Sequence, residues 1–327
     1  MKDCSVCNRR CRLKEGETGF CGTRKLIGGK IESIVYGRIA SLQISPIEIK
    51  PLYHYYPGSK WLSIGTLGCN FYCNGCQNWQ LSHANIEKEL NKITYYISPH
   101  KLIDYAKKQK CIGISFTYNE PTLWLEYTLD VFKLAKSNSL LTNYVTNGYM
   151  SPEAMNMLGN LLDSFRVDLK GFSHKTYQGL AGISNYELIL NNIKEAKHKW
   201  GMHIEIITNI IPNINDKKDE LIEMIKWIKG VIGKETPWHI TRFFPAYKLN
   251  SLPATPIDLL ISIYNTGKEN DLDYVYLGNV VGHKYENTYC PNCNNILIER
   301  FNYKILCNFI KNGKCNYCNY KIYGCFF

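Results

Sequence analysis

No apolar run in this chain approaches the roughly 18 to 20 residues that a membrane span needs, so no membrane-crossing helix is expected. The first residues, MKDCSVCNRRCRLKEG, carry charges with no apolar stretch behind them, which argues against a secretory signal and for a cytoplasmic protein. Internal repeats and low-complexity linkers are missing too, which excludes a solenoid or a string of tethered modules. Acidic residues are in short supply: 28 Asp and Glu face 39 Lys and Arg, a net charge of +11. That surplus admits an acidic partner such as nucleic acid. The lysines are spread along the chain rather than striped, however, and the abundance of Lys, Asn and Ile reads as compositional bias. With 45% hydrophobic and 20% charged residues, the balance is that of a globular protein. Its 327 residues suit one large domain with appendages, or two domains.

Cysteine is not scarce, but its placement is uneven. In a reducing compartment, fourteen cysteines point to metal or redox chemistry rather than to disulfides. Cys4, Cys7, Cys11 and Cys21 open the chain, Cys69, Cys73 and Cys76 form a triplet, and six more lie between 290 and 325. The stretch between triplet and tail holds Cys111 alone.

That stretch alternates β-rich runs with amphipathic ones. Candidate strands cover 60–66, 111–117, 140–146, 164–170, 203–211, 238–244 and 274–278. Helical patterns cover 120–137; 151–162, with a Ser cap and Pro in the first turn; and 213–230, closed by Gly. This rhythm predicts βαβ units and a parallel sheet, whose active site would lie at the strand C-termini. The fold class expected is α/β, a partial TIM-type (β/α)6 barrel of parallel strands over 60–283. A cysteine-rich arm and strap (1–59) precede it, and a knuckle-like tail (284–327) follows.

The triplet, GCNFYCNGCQ, has the spacing C-x3-C-x2-C and no fourth cysteine close by. Three thiolates can each hold one iron of a four-iron cube, leaving the fourth iron open, as catalytic zinc sites keep a position for substrate. A zinc site completed by Cys111 or His83, or unligated thiols, are the alternatives that spacing leaves open.

The wider pattern resembles the radical S-adenosylmethionine (SAM) superfamily. Beside CNGCQN stand FTYNEPT, VTNGY, VDLKGF and RFFPAY, which resemble the activating-enzyme-like group. The flanking GETGFCGTR, SPIEIKPLYHYYPGS, NVVGHKYENTYCPNC and GKCNYC are similar to the AmmeMemoRadiSam-system radical enzymes. The resemblance implies a [4Fe-4S] cluster on Cys69, Cys73 and Cys76 whose open iron chelates SAM. Reductive cleavage would give a 5′-deoxyadenosyl radical that abstracts hydrogen from a small molecule or peptide. It further implies an external one-electron donor of flavodoxin or ferredoxin type, and Memo-like and AMMECR-like partner proteins. Activation of a glycyl-radical enzyme is the second reading.

By the same resemblance, Asn119 and Glu120 of YNEP, which stands where the superfamily usually has GGEP, lie beside the methionine ammonium. Thr146 and Asn147 are placed for the ribose hydroxyls, Lys170 for the methionine carboxylate, and Asp168 supports it. Glu120 and Pro121 also read as a helix start, Asn147–Gly148 as a turn, and Asp168–Lys170 as a structural ion pair. Arg242 and Tyr247 are expected to face the substrate. Gly75 stands where the superfamily usually has an aromatic residue against adenine, which leaves that contact unassigned.

At the ends, Cys4, Cys7, Cys11 and Cys21 make a closed four-thiol set suited to an auxiliary cluster or a structural zinc. Cys290, Cys293, Cys315 and Cys318 form paired C-x2-C knuckles for zinc or a rubredoxin-type iron. Cys307, Cys325 and Cys111 read as unligated thiols. Lys50 and His54, in the strap 45–60, are within reach of the active-site mouth or serve as packing. A zinc-knuckle nucleic-acid-binding protein would fit the +11 charge but leaves the strand-end motifs unexplained.

Overall fold

Short β-rich runs make strands that are buried along most of their length, and seven of them order the molecule. The computed structural model describes residues 1–327. Its main sheet begins with β1 (Ser41–Pro46), antiparallel to β2 (Lys60–Gly65). From β2 onward all neighbours are parallel and follow chain order. The strands are β3 (Gly113–Phe116), β4 (Leu141–Thr146), β5 (Ser164–Asp168), β6 (His203–Ile210), β7 (Trp238–Arg242) and β8 (Val275–Gly278).

Each parallel strand except β8 is followed by helix. The helices are α1 (Trp79–Ser82), α2 (Ile86–Ile93), α3 (Pro99–Lys108), α4 (Leu125–Ser137), α5 (Pro152–Leu158), α6 (His174–Ala181), α7 (Glu187–His198), α8 (Lys218–Trp227) and α9 (Ile257–Glu269). Ser98 and Ser151 cap α3 and α5, each followed by Pro. Parallel strands in sequential order with right-handed crossovers place their helices along one face. That face buries Ile114, Phe116, Tyr144, Phe165, Val167, Ile206 and Ile240 against Phe132, Ile193 and Ile225. None of the helices is long and apolar enough to cross a membrane.

The other face is polar. Asn143 donates to Ser115 and accepts from Ser164 across three strands, at 2.5 and 2.6 Å. Glu205 of β6, 0% exposed, accepts from His203 at 2.9 Å and His239 at 2.6 Å. It also accepts the backbone N–H groups of Tyr53 and His54 at 3.0 and 2.8 Å. Burial pushes its carboxyl up, but these bonds outweigh it and hold the group well below its usual range.

The strap therefore runs over the inner face and is anchored there. The tail packs on it: the Arg300 guanidinium donates to the Tyr53 carbonyl at 2.9 Å and lies over the Tyr53 ring. The tail contains a hairpin of β9 (Ile296–Phe301) and β10 (Lys304–Asn308), whose Leu297 and Ile298 share a core with Tyr53 and Tyr276. Two boundaries differ from expectation. β1, assigned from sequence to the arm, is part of the main sheet. The helical pattern 120–137 begins as a 3-10 turn at Pro121–Trp124 before α4.

Candidate active site

The loop that leaves β2 carries the triplet, and the arrangement around it explains its shape. Asn119 accepts from Thr66 N at 3.0 Å and donates to the carbonyls of Leu67 and Gly68 at 3.3 and 2.9 Å. It pins the approach to Cys69. Gly68 has φ +86°, and a Cβ there would meet Thr23 at 2.5 Å and the Cys21 carbonyl at 2.6 Å, so the N-terminal arm presses against this loop. Beyond it, Tyr72 N and Asn74 N donate to the carbonyls of Ala181 and Leu180 at the end of α6. Phe71 N donates to the Cys69 sulfur at 3.3 Å, and the Asn147 amide reaches it at 3.9 Å.

All three cysteines border one cavity of about 480 Å³ at the C-terminal edge of the sheet. Asn119, Glu120, Thr146, Asn147, Asp168 and Lys170 line the same cavity. Arg166 joins them, although the sequence reading passed over it. Its spacing of two from Asp168, and of four from Lys170, is the alternation that puts β5 side chains on one face. Asp168 is bridged by the Arg166 guanidinium at 2.8 Å and the Lys170 ammonium at 3.4 Å. Burial alone would raise the Asp168 pKa, but the two cations hold it lowered. Arg166 Nε is buried without a partner.

Glu120 lines the cavity and is held there by the protein's own donors. Its carboxylate, 2% exposed, accepts from Thr122 N, Thr122 Oγ1, Thr146 Oγ1 and Asn147 N, all within 3.0 Å. It caps the 3-10 turn and ties β4 to β3, and burial raises its pKa. Thr146 and Asn147 are likewise committed: Asn147 donates to Asn70 Oδ1 at 2.7 Å and accepts from Tyr149 N at 2.9 Å. Just before them, Tyr118 takes a left-handed φ of +75°. That backbone explains why glycine suits this position, and holding it with a tyrosine costs about 1 kcal/mol or more.

Arg242 and Tyr247, expected at the substrate, do not line the cavity. Arg242 donates to the Thr255 carbonyl at 2.8 Å. Tyr247 stacks on Trp79 and packs against His83 and Tyr72 on the outside of the triplet loop. Lys50 does line it, donating to Ser45 at 2.9 Å, and burial lowers its pKa to about 8. His54 is fully buried behind the strap, held by the Tyr276 hydroxyl and the Tyr323 carbonyl at 2.6 Å each.

The four knuckle sulfurs are built for a single ion. Cys290–Cys318 and Cys293–Cys315 approach to 3.6 and 3.7 Å, and all four lie within 4.8 Å of one another. A tetrahedron with metal–sulfur bonds of about 2.3 Å has edges of about 3.8 Å. Cys307 and Cys325 stand outside this group. No other set of three His, Cys, Asp or Glu ligand atoms is gathered so tightly.

Three thiols and the two cations beside Asp168 thus border one cavity. Residues 63–228 match the model of the Radical SAM superfamily. The chain belongs to the radical SAM superfamily. Membership implies an enzyme that uses SAM and a [4Fe-4S] cluster. Burial pushes the Cys69 thiol well up and Cys73 to about 11, the latter against the pull of Lys170.

This radical SAM chain is 40% identical over 322 residues to the uncharacterized protein MJ0808 of Methanocaldococcus jannaschii, covering 98% of this chain and 94% of that one. It is 26% identical to the pyruvate formate-lyase-activating enzyme of Clostridium pasteurianum over 56% of this chain and 77% of that one. A radical SAM methyltransferase from Sphaerobacter thermophilus shares the fold, with a TM-score of 0.51 at 11% identity, over 68% of this chain and 67% of that one.

Proposed function

We propose that this chain is a radical SAM enzyme that uses SAM to abstract hydrogen from a small molecule or peptide. The observation that carries the reading is a single cavity lined both by Cys69, Cys73 and Cys76 and by the row Arg166–Asp168–Lys170. When bound, a four-iron cluster on the triplet would supply the electron that splits SAM into methionine and a 5′-deoxyadenosyl radical.

The residues of the chain bind and orient. Lys170 and the Arg166 guanidinium receive the methionine carboxylate, with Asp168 fixing both cations. Backbone carbonyls around Asn119 take the ammonium, while the Asn119 and Glu120 side chains brace the loop. Thr146 and Asn147 shape the ribose edge in the same indirect way. Leu180 and Ile211 border the cavity beside Gly75 and offer adenine an apolar wall. Lys50 from the strap and Tyr303 from the tail line the cavity as well, and belong to the substrate.

We also infer that the parallel strands over 60–283 curl as a partial barrel, with β1 of the preceding arm at its edge and the tail at 284–327 after it, and that an external one-electron donor of flavodoxin or ferredoxin type reduces the cluster. The likeness of the flanking motifs supports a place in the AmmeMemoRadiSam system beside Memo-like and AMMECR-like proteins. The similarity to an activating enzyme supports a second reading, in which a glycine of a partner enzyme is the hydrogen donor. Replacing Cys69, Cys73 and Cys76 by Ala abolishes SAM cleavage in a folded protein on this account. Retained cleavage would refute the assignment, and a glycyl radical signal in a partner enzyme would select the second reading.

A further inference from the structure

The charges that line the cavity do not balance. Its only acidic residues are Glu120 and Asp168, and both are occupied. Four donors of the protein hold Glu120, and two cations hold Asp168. The lining cations are Arg166, Lys170 and Lys50. Arg166 and Lys170 share Asp168, whereas Lys50 has no acidic partner. Lys50 is only 5% exposed, and its ammonium donates to the Ser45 hydroxyl at 2.9 Å and to nothing else in the protein. Glu48, two residues earlier, does not line the cavity and accepts from Gly58 N at 2.7 Å. A buried ammonium with one neutral acceptor is costly, and an anion entering the cavity would match it.

The wall around Lys50 is built from further donors. Gln43 and Ser45 lie two apart on β1 and so share a face, and Gln43 is opposite Ser63 of β2. All three border the cavity. Ser63 is 1% exposed, and its hydroxyl has no partner. The Gln43 side-chain oxygen accepts from the Tyr118 hydroxyl at 3.3 Å, which leaves the amide nitrogen free to donate. Strap, β1 and β2 thus each contribute a donor to one wall, and no free carboxylate opposes them.

The amount of charge indicates the kind of anion. One cation with neutral donors suits a single negative charge. A phosphate monoester carries about −1.5 to −2 and is met by several cations, a helix N-terminus or a nest of N–H groups. The strap supplies no nest: Lys50 N donates to the Ile47 carbonyl, Pro51 has no N–H, and Glu205 takes Tyr53 N and His54 N. A carboxylate fits. That of SAM is drawn to the surplus charge on β5, four strands from β1 in the sheet.

We propose that Lys50, with Ser63 and Gln43, binds a carboxylate of the substrate, so that the molecule giving up hydrogen is an organic acid or a peptide that presents one. This rests on the SAM chemistry proposed for the triplet, and it makes Lys50 a specificity-determining residue. Burial lowers the Lys50 pKa to about 8. A bound anion raises it again, so an occupied site keeps the ammonium charged where an empty one sheds its proton.

Propionate and propionamide, nearly alike in shape and different in charge, test the site. Each is titrated by ligand-observed NMR into anaerobically reconstituted, oxidised full-length protein loaded with SAM. At neutral pH propionate should bind about tenfold or more tightly than propionamide, the contribution of a charge-assisted hydrogen bond, and more tightly than inorganic phosphate. Lys50→Met should bring propionate down to the level of propionamide while SAM affinity stays within about twofold. Equal binding of acid and amide overturns the proposal, and that comparison needs no variant. Phosphate binding tighter than propionate overturns the carboxylate. A Lys50→Met variant that loses SAM as well assigns Lys50 to the cofactor and likewise overturns the proposal. A parent that binds no SAM refutes instead the reading on which the proposal rests.

Discussion

Arg166, Asp168 and Lys170 hold three charges on one buried face of β5, an arrangement that is costly unless the charges are matched. Asp168 matches only part of the two cations, and the surplus positive charge is what makes the cavity suit a carboxylate. Arg166→Ala or Lys170→Ala is therefore expected to weaken SAM binding about tenfold or more, the loss of one charge-assisted hydrogen bond. Iron content should be unchanged, and calorimetric titration with parallel iron assay checks both. If binding holds, the row is a structural ion pair. Lys50 gives a second residue-scale expectation. Burial lowers its pKa to about 8 from the 10.5 of a free lysine, so between those values the unfolded chain carries more protons than the folded one. Stability contributed at this site then rises as pH climbs from about 8 to 10.5. Lys50→Met should flatten that rise relative to the parent in chemical denaturation across this window. Asp168 and Lys170 were legible in the sequence because charges alternating with apolar residues near a strand end are conspicuous. Arg166 showed the same alternation, but a single arginine within a strand gives no sign of which face is closed.

At the scale of elements, the triplet loop is held by neighbours rather than by its own sequence. Asn119 satisfies the Thr66 N–H and two carbonyls, so Asn119→Ala leaves a buried donor unpaired. A stability loss of about 1–3 kcal/mol is expected, together with poorer cluster retention, measurable by denaturation and iron content. A neutral variant would mean that the loop is fixed from its other end. The parallel strands could be read from sequence because each is a short apolar run between turn signals. β1 could not: SLQISP is mixed in polarity, ends in proline, and is a strand only through its pairing with β2. The bracing role of Glu120 was hidden for a related reason. Acid followed by proline signals both a ligand and a cap, and only the four donors around its oxygens show that capping and bracing occupy it.

Across the whole molecule, the tail and the strap behave as one body with the inner face of the sheet. Cys290 and Cys315 share a core with Tyr53 and Tyr276, and the strap beside Tyr53 is anchored by Glu205. Metal loss at the knuckle should therefore be felt at the cavity. Cys290→Ser with Cys318→Ser is expected to release one ion per chain, lower the melting temperature by several degrees, and weaken SAM binding though no knuckle residue lines the cavity. Unaltered binding would make the tail an independent module. The sequence showed that Cys290, Cys293, Cys315 and Cys318 belong together, but not that arm, strap and tail converge on one sheet, since those contacts join residues far apart in the chain. The most direct test of the central claim is electron paramagnetic resonance on anaerobically reconstituted, reduced protein, with and without SAM. The account predicts a [4Fe-4S]⁺ signal whose shape changes when SAM is added and which is missing from the Cys69/Cys73/Cys76→Ala variant. A signal that SAM leaves untouched, or that survives in that variant and still responds to SAM, would contradict it.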